Sequence, residues 1–231
     1  MSRVKRYLPL ILGIASALGL AWLIRKQHGS TGFPRIWQQV LNRLHGVEKA
    51  QVLATAAYQQ HAALLASTPM PENKALRWHL TRNILPGLAL YQVLLKEHEG
   101  DKPGALAEVE EAFRAWTTAK SRMLLAPLKV LPEPFRLFKL VFAQMMKQFP
   151  ADGWDITYIA NDNDKLAFNM TRCFYLNTLS ALGAPELTAL FCKGDDVMAE
   201  FFPPSISFVR HHTLGRGDDL CDFQYCRMKT P

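Results

Sequence analysis

At Gly153 the hydrophobic period of this chain changes, and that change most constrains what it can fold into. Before it, apolar residues recur three and four apart, which marks one face of a helix; after it they alternate, as on a half-buried strand. Ile36, Val40, Leu41, Leu44, Val47, Leu53, Ala57 and Leu64 predict helix over 36–66, ended by Ser67-Thr68-Pro69-Met70-Pro71. A second stripe over 72–98 carries Leu76, Leu80, Ile84, Leu88, Tyr91 and Leu95, with Pro86 expected to kink or split it. Pro103 opens a third helix to about Leu125, with Leu106, Val109, Phe113, Trp116 and Ala119 inward, and 135–149 is a fourth, apolar and cationic. That fourth helix either packs inside the fold or, as basic amphipathic helices do, touches lipid.

Beyond Gly153, residues 154–159 and 165–171 alternate around Asn161-Asp162-Asn163-Asp164, a hairpin. Cys173 to about Leu182 reads as a helix closed by Gly183 and Pro185, and 186–191 and 195–202 read as short helical pieces separated at Gly194. Residues 205–213 and 219–227 form a second hairpin around Leu214-Gly215-Arg216-Gly217-Asp218. Helices first and antiparallel strands later predict an α+β domain over 35–231, a helical half packed with a sheet of two hairpins.

Residues 1–34 read as a separate appendage. From Tyr7 to Ile24 there are eighteen residues without a charge, bracketed by Arg3, Lys5 and Arg6 and by Arg25 and Lys26. As a helix that run spans roughly 27 Å, close to the hydrocarbon thickness of a bilayer. Gly19-Leu20-Ala21 also fits a signal-peptide cleavage site, but the apolar run continues through Trp22-Leu23-Ile24 into two cations, which favours a retained anchor. The net charge of +7 belongs to the same region. Residues 1–35 hold six cations and no acid, which leaves 21 cations against 20 acids in the rest, so no nucleic-acid partner is expected.

All four cysteines fall in the last sixty residues, at 173, 192, 221 and 226, with gaps of 19, 29 and 5 and no C-x-x-C. Cys221 and Cys226 on one strand would stand roughly 16 Å apart, so reduced thiols are expected, and neither a metal nor a cofactor is. The cysteines sit among Arg172, Asp195, Asp196, Arg210, His211, His212 and Asp222, a density of thiol, carboxylate, guanidinium and imidazole groups that marks this third as the place for chemistry. No G-x-S-x-G, Walker loop or H-E-x-x-H is present.

These residues resemble a known family. Arg172-Cys173, Leu182-Gly183-Ala184-Pro185-Glu186-Leu187, Cys192 with Asp195 three residues on, and Phe208-x-Arg210-x-x-Thr213-Leu214-x-x-Gly217-Asp218-x-x-Cys221-Asp222-Phe223 are similar to the L-2-amino-thiazoline-4-carboxylic acid hydrolase family. More loosely, so is Ile84-Leu85-Pro86-Gly87-Leu88-Ala89-Leu90-Tyr91. The resemblance implies hydrolysis of a C–N or C=N bond in a small cyclic amidine-like substrate, and with the anchor it implies a single-pass protein of a bacterial inner membrane. Gly217-Asp218-x-x-Cys221-x-Phe223 is also similar to the small-molecule-binding domain of the four-vinyl reductase type, which need not catalyse anything.

For the hydrolase, Cys192, Asp195, Asp196, Arg210 and His212 are the expected catalytic groups. Cys192, near an expected helix boundary and beside Lys193, is the candidate low-pKa nucleophile. Asp195 and Asp196 serve as substrate carboxylate or base, or cap a helix after Gly194. Arg210 faces inward with Phe208 and Ile206 and needs either Asp222 or a substrate carboxylate as partner. His212 shares that face. Arg172, Cys173, Cys221 and Asp222 are the expected substrate-binding residues, with Cys221 equally at home in the core.

Overall fold

The structure is a computed structural model and describes residues 34–130 and 132–228. The expected anchor at 7–24 lies outside the described residues, and among these no helix is long and apolar enough to cross a membrane.

The chain is α+β. The first expected helix is two: α1 (Arg35–His45) and α2 (Val47–Ser67) break at Gly46, whose φ of 78° only glycine adopts freely. The Gly46 N–H still closes α1 by donating to the Asn42 carbonyl at 3.0 Å. In the second stripe, α3 (Lys74–His79) starts on Asn73, whose side chain accepts the Ala75 N–H at 2.9 Å. A π-helical turn over Leu80–Ile84 leads into α4 (Leu85–Glu97). The wider turn carries the chain past Pro86 without a break, which corrects the expected kink or split. Leu85, Leu88, Ala89, Leu90 and Leu94 of α4 are fully buried, so this helix is the centre of the helical half. Next, α5 (Lys102–Leu125) is capped by Asp101, and α6 (Pro134–Met146) is one turn shorter than expected.

The four strands are β1 (Asp155–Asn161), β2 (Lys165–Arg172), β3 (Ile206–Val209) and β4 (Cys221–Arg227). They form one antiparallel sheet in the order β1-β2-β4-β3, so the two expected hairpins fuse through β2–β4 pairing. Asp162 sets the first turn by accepting the N–H groups of Asp164 and Lys165. The second hairpin is shorter than expected. Asp222 accepts the His211 and His212 N–H groups at 2.8 and 2.6 Å, and these bonds replace the ladder beyond Val209. Along β4, Cys221, Phe223 and Tyr225 point inward, and Phe223 stacks on Phe168 of β2 with ring centres 4.7 Å apart. The sheet's inner face meets Phe138 and Phe142 of α6.

Between the central strands lie α7 (Phe174–Ala181), closed by Gly183 at φ 76°, and α8 (Thr188–Ala199). Contrary to the break expected there, α8 runs straight through Lys193-Gly194. Two apolar clusters result, one within the helices and one between α6 and the sheet, and Phe174 and Tyr175 pack against both.

Candidate functional site

The seam between the two clusters holds a cavity of about 390 Å³. Its walls are largely aromatic, with Trp116 from α5, Phe142 and Phe149 from α6 and the turn after it, Phe168 from β2 and Phe223 from β4. Such a volume is ordinary for pockets that bury small organic ligands, about 300–1,000 Å³.

The polar floor is built around Arg210, which follows β3 and keeps only 2% of its side chain exposed. Its guanidinium donates to Asp195 Oδ2 at 2.7 Å, to both oxygens of Asp196 at 3.0 Å and to the Cys192 carbonyl at 2.9 Å. The rings of Phe208 and Phe223 flank it at 5.8 and 5.3 Å. The expected partner Asp222 is not involved. Because α8 is unbroken, Asp195 and Asp196 sit in its last turns instead of capping it, one turn beyond Cys192, where a single fork reaches all three.

Asp195 lines the cavity. Burial pushes its carboxyl up to about 6, against the pull of Arg210 and with a push from Asp196. Of its side-chain surface 37% is accessible although protein encloses it, so that surface opens onto the cavity. Asp196 is more open and lines a smaller neighbouring pocket with Glu110, Arg114 and Arg216.

Three of the four thiols, Cys173, Cys192 and Cys221, line the same cavity, and all four cysteines are free. The expected activation of Cys192 is not there. It lies in mid-helix, Lys193 turns away to Glu110 at 2.6 Å, and burial with the Asp195 charge pushes the thiol up to about 12. Burial likewise lifts Cys221 to about 11 and raises Cys173.

The remaining expected site residues stand outside this cavity. Arg172 clamps the surface, bonded to both Asp155 oxygens and to the Ala151 and Asp152 carbonyls. His212 is exposed, and Asp222 braces the turn through the two histidine N–H groups.

Two polar features of the cavity were not anticipated. His79, Tyr175 and Asn83 form a chain: Asn83 donates to the Tyr175 oxygen at 2.9 Å, Tyr175 donates to His79 Nδ1 at 2.8 Å, and Nε2 donates to the Gln148 carbonyl at 2.9 Å. Burial lowers His79 to about 4 and raises Tyr175. The other is Lys120, whose Nζ sits 3.4 Å from the Trp116 ring centre and whose pKa burial lowers to about 8. The sequence signal for the chain was a His and an Asn four apart before Pro86; for Lys120 it was a cation in line with Phe113, Trp116 and Thr117. Among the described residues no group of three or more His, Cys, Asp or Glu could hold a metal ion.

No curated protein matches the chain. One solved structure, from work on the function of heme distortion in the H-NOX family, aligns over 85% of this chain and 93% of that one. At 11% identity and a TM-score of 0.32 that likeness carries no argument. A sequence model of a family described as L-2-amino-thiazoline-4-carboxylic acid hydrolase matches residues 77–225, the span that contributes α4 to α8, most of the sheet and every residue that lines the cavity. With that match over most of its length, this chain belongs to the L-2-amino-thiazoline-4-carboxylic acid hydrolase family.

Proposed function

We propose that this protein hydrolyses a C–N or C=N bond of a small cyclic amidine-like substrate, as the family description suggests, and that residues 7–24 tether it to a bacterial inner membrane. The observation that carries the reading is Asp195, a carboxylate facing the cavity, poised at about 6 and aimed by Arg210. A base with a pKa near the working pH is suited to take a proton from water. As the water oxygen bonds to the amidine carbon, its proton passes to Asp195 and then to the ring nitrogen. The hydroxyl proton of the tetrahedral intermediate follows by the same carboxylate. The C–N bond then breaks, the carbonyl forms and the nitrogen leaves as an amine. Arg210 is the positioning residue: its fork fixes Asp195 and offsets its charge. Cys173, Cys192 and Cys221 act as walls, because thiols held so far up carry little thiolate with which to attack.

A second reading, a small-molecule-binding domain without catalysis, is favoured by the aromatic lining of the cavity and by those same un-ionised thiols. The full-length protein incubated with 2-amino-thiazoline-4-carboxylate separates the two. On the hydrolase reading, Asp195→Asn loses roughly 100-fold or more of the turnover while Cys192→Ala keeps most of it. The rate also rises with pH through about 6, as Asp195 ionises. Loss in Cys192→Ala with activity kept in Asp195→Asn would make the thiol the nucleophile. Binding without turnover would favour the second reading.

A further inference from the structure

Three lysines of this protein pair with carboxylates, Lys49 with Glu97 at 2.7 Å, Lys102 with Glu186 at 2.9 Å and Lys193 with Glu110 at 2.6 Å. Lys120 does not. It lies half-buried on the cavity wall, and among the described residues its ammonium forms no ion pair or hydrogen bond. Its contact is the face of Trp116, which holds the charge in place without neutralising it. The other cation on the cavity, Arg210, already faces two carboxylates. A cation held partly out of water without a counter-charge is less favourable than one that is paired.

We propose that Lys120 is the anion anchor of this cavity, and that the ligand is an organic carboxylate whose apolar body lies against Trp116 and the neighbouring aromatic rings. This rests on the hydrolase reading for the chemistry at the ligand's other end. Thr117, one turn before Lys120, faces the α8 backbone at Gly194, where an added Cβ would stand 3.7 Å from the Thr117 hydroxyl. Lys120 is therefore about 4.5 Å further along the α5 axis than the residue opposite the Asp195 turn. A ligand bridging the two has a carboxylate at one end and a basic or hydrogen-bond-donating group at the other. Lys120 thus takes one of the two roles that the sequence left open for Arg210, receptor of the substrate carboxylate.

The test is calorimetric titration of the full-length protein with 4-phenylbutyrate and with its neutral amide. Wild type binds the carboxylate at least about tenfold tighter than the amide, the least that a charge-assisted hydrogen bond contributes. Lys120→Met abolishes that preference by weakening the carboxylate alone, unchanged amide binding serving as the control for fold, and Lys120→Arg restores it. Equal affinities in wild type, a preference that survives in Lys120→Met, or no binding of either probe would overturn the proposal. A carboxylate preference that depends on Lys120, together with no turnover of 2-amino-thiazoline-4-carboxylate, would leave the anchor standing and remove the hydrolase reading instead.

Discussion

Replacing Arg210 with methionine keeps much of the side chain's volume and removes its charge. In the folded protein the guanidinium is 2% exposed and bonds two carboxylates and the Cys192 carbonyl. Removing one partner of a buried ion pair costs about 3–5 kcal/mol, because the charge left behind has no partner. Asp196 is 46% exposed and stays hydrated on its own, so the loss falls at the low end, about 3 kcal/mol at pH 8. The loss depends on pH through Asp195. Its pKa in the folded protein is already raised to about 6, above the ordinary carboxylate value. Such a group contributes stability fully below its unfolded pKa, and that contribution is lost as pH rises through the folded value. Without Arg210 the folded value rises further, so the variant loses more than wild type at pH 8 and much less at pH 5, where Asp195 is protonated and needs no cation. Urea denaturation at both pH values, followed by circular dichroism, measures the difference. A destabilisation of the same size at pH 5 and pH 8 would refute the assignment of Asp195 as the charge that Arg210 balances. Adding Asp195→Asn to Arg210→Met should recover part of the loss, a coupling of about 1 kcal/mol or more.

Iodoacetamide at pH 8 should alkylate Cys226, which lies off the cavity, more than about tenfold faster than Cys173, Cys192 or Cys221, as read by peptide mass spectrometry; fast modification of Cys192 would restore it as a nucleophile. His79 is lowered to about 4, so its imidazole should stay neutral in nitrogen-15 spectra down to that pH, and the stability it gives should be present above about 6.5 and fade as pH falls through about 4. A titration near 6.5 would mean that His79 is hydrated rather than buried. Gly215→Ala places a Cβ 2.8 Å from the Cys192 sulfur and 3.2 Å from the Ala189 nitrogen, so it should cost about 1–3 kcal/mol in chemical denaturation; a neutral result would show that the turn over Cys192 can shift.

What could be read from the sequence follows from how local each signal is. The change at Gly153, the Asp162 turn and the inward alternation of Cys221, Phe223 and Tyr225 all depend on neighbours within a few residues, and the structure reproduces them. Arg210 facing inward was legible for the same reason. Its partner was not, because the choice between Asp222 and Asp195 turns on whether α8 survives Gly194. A glycine inside a helix costs only about 1 kcal/mol, which packing against α5 overrides. Gly46 went the other way, breaking a helix whose apolar stripe runs on unchanged. The activation expected of Cys192 failed on the same misplaced boundary. Lys120 escaped notice because a lysine on a helix is ordinarily solvated, and only the cavity that α5 shares with α6, α8 and the sheet shows that this one is half-buried.

The cavity lies where two separately packed clusters meet, with Tyr175 and Phe174 belonging to both. Its floor, Asp195 and Arg210, is fixed by α8 and the end of β3, while much of its wall comes from α5 and α6. Selection can therefore re-line the wall to admit a different molecular body while the Asp195–Arg210 pair, the proposed seat of the chemistry, stays where it is. A family built this way would be expected to keep one reaction and diversify in what it accepts.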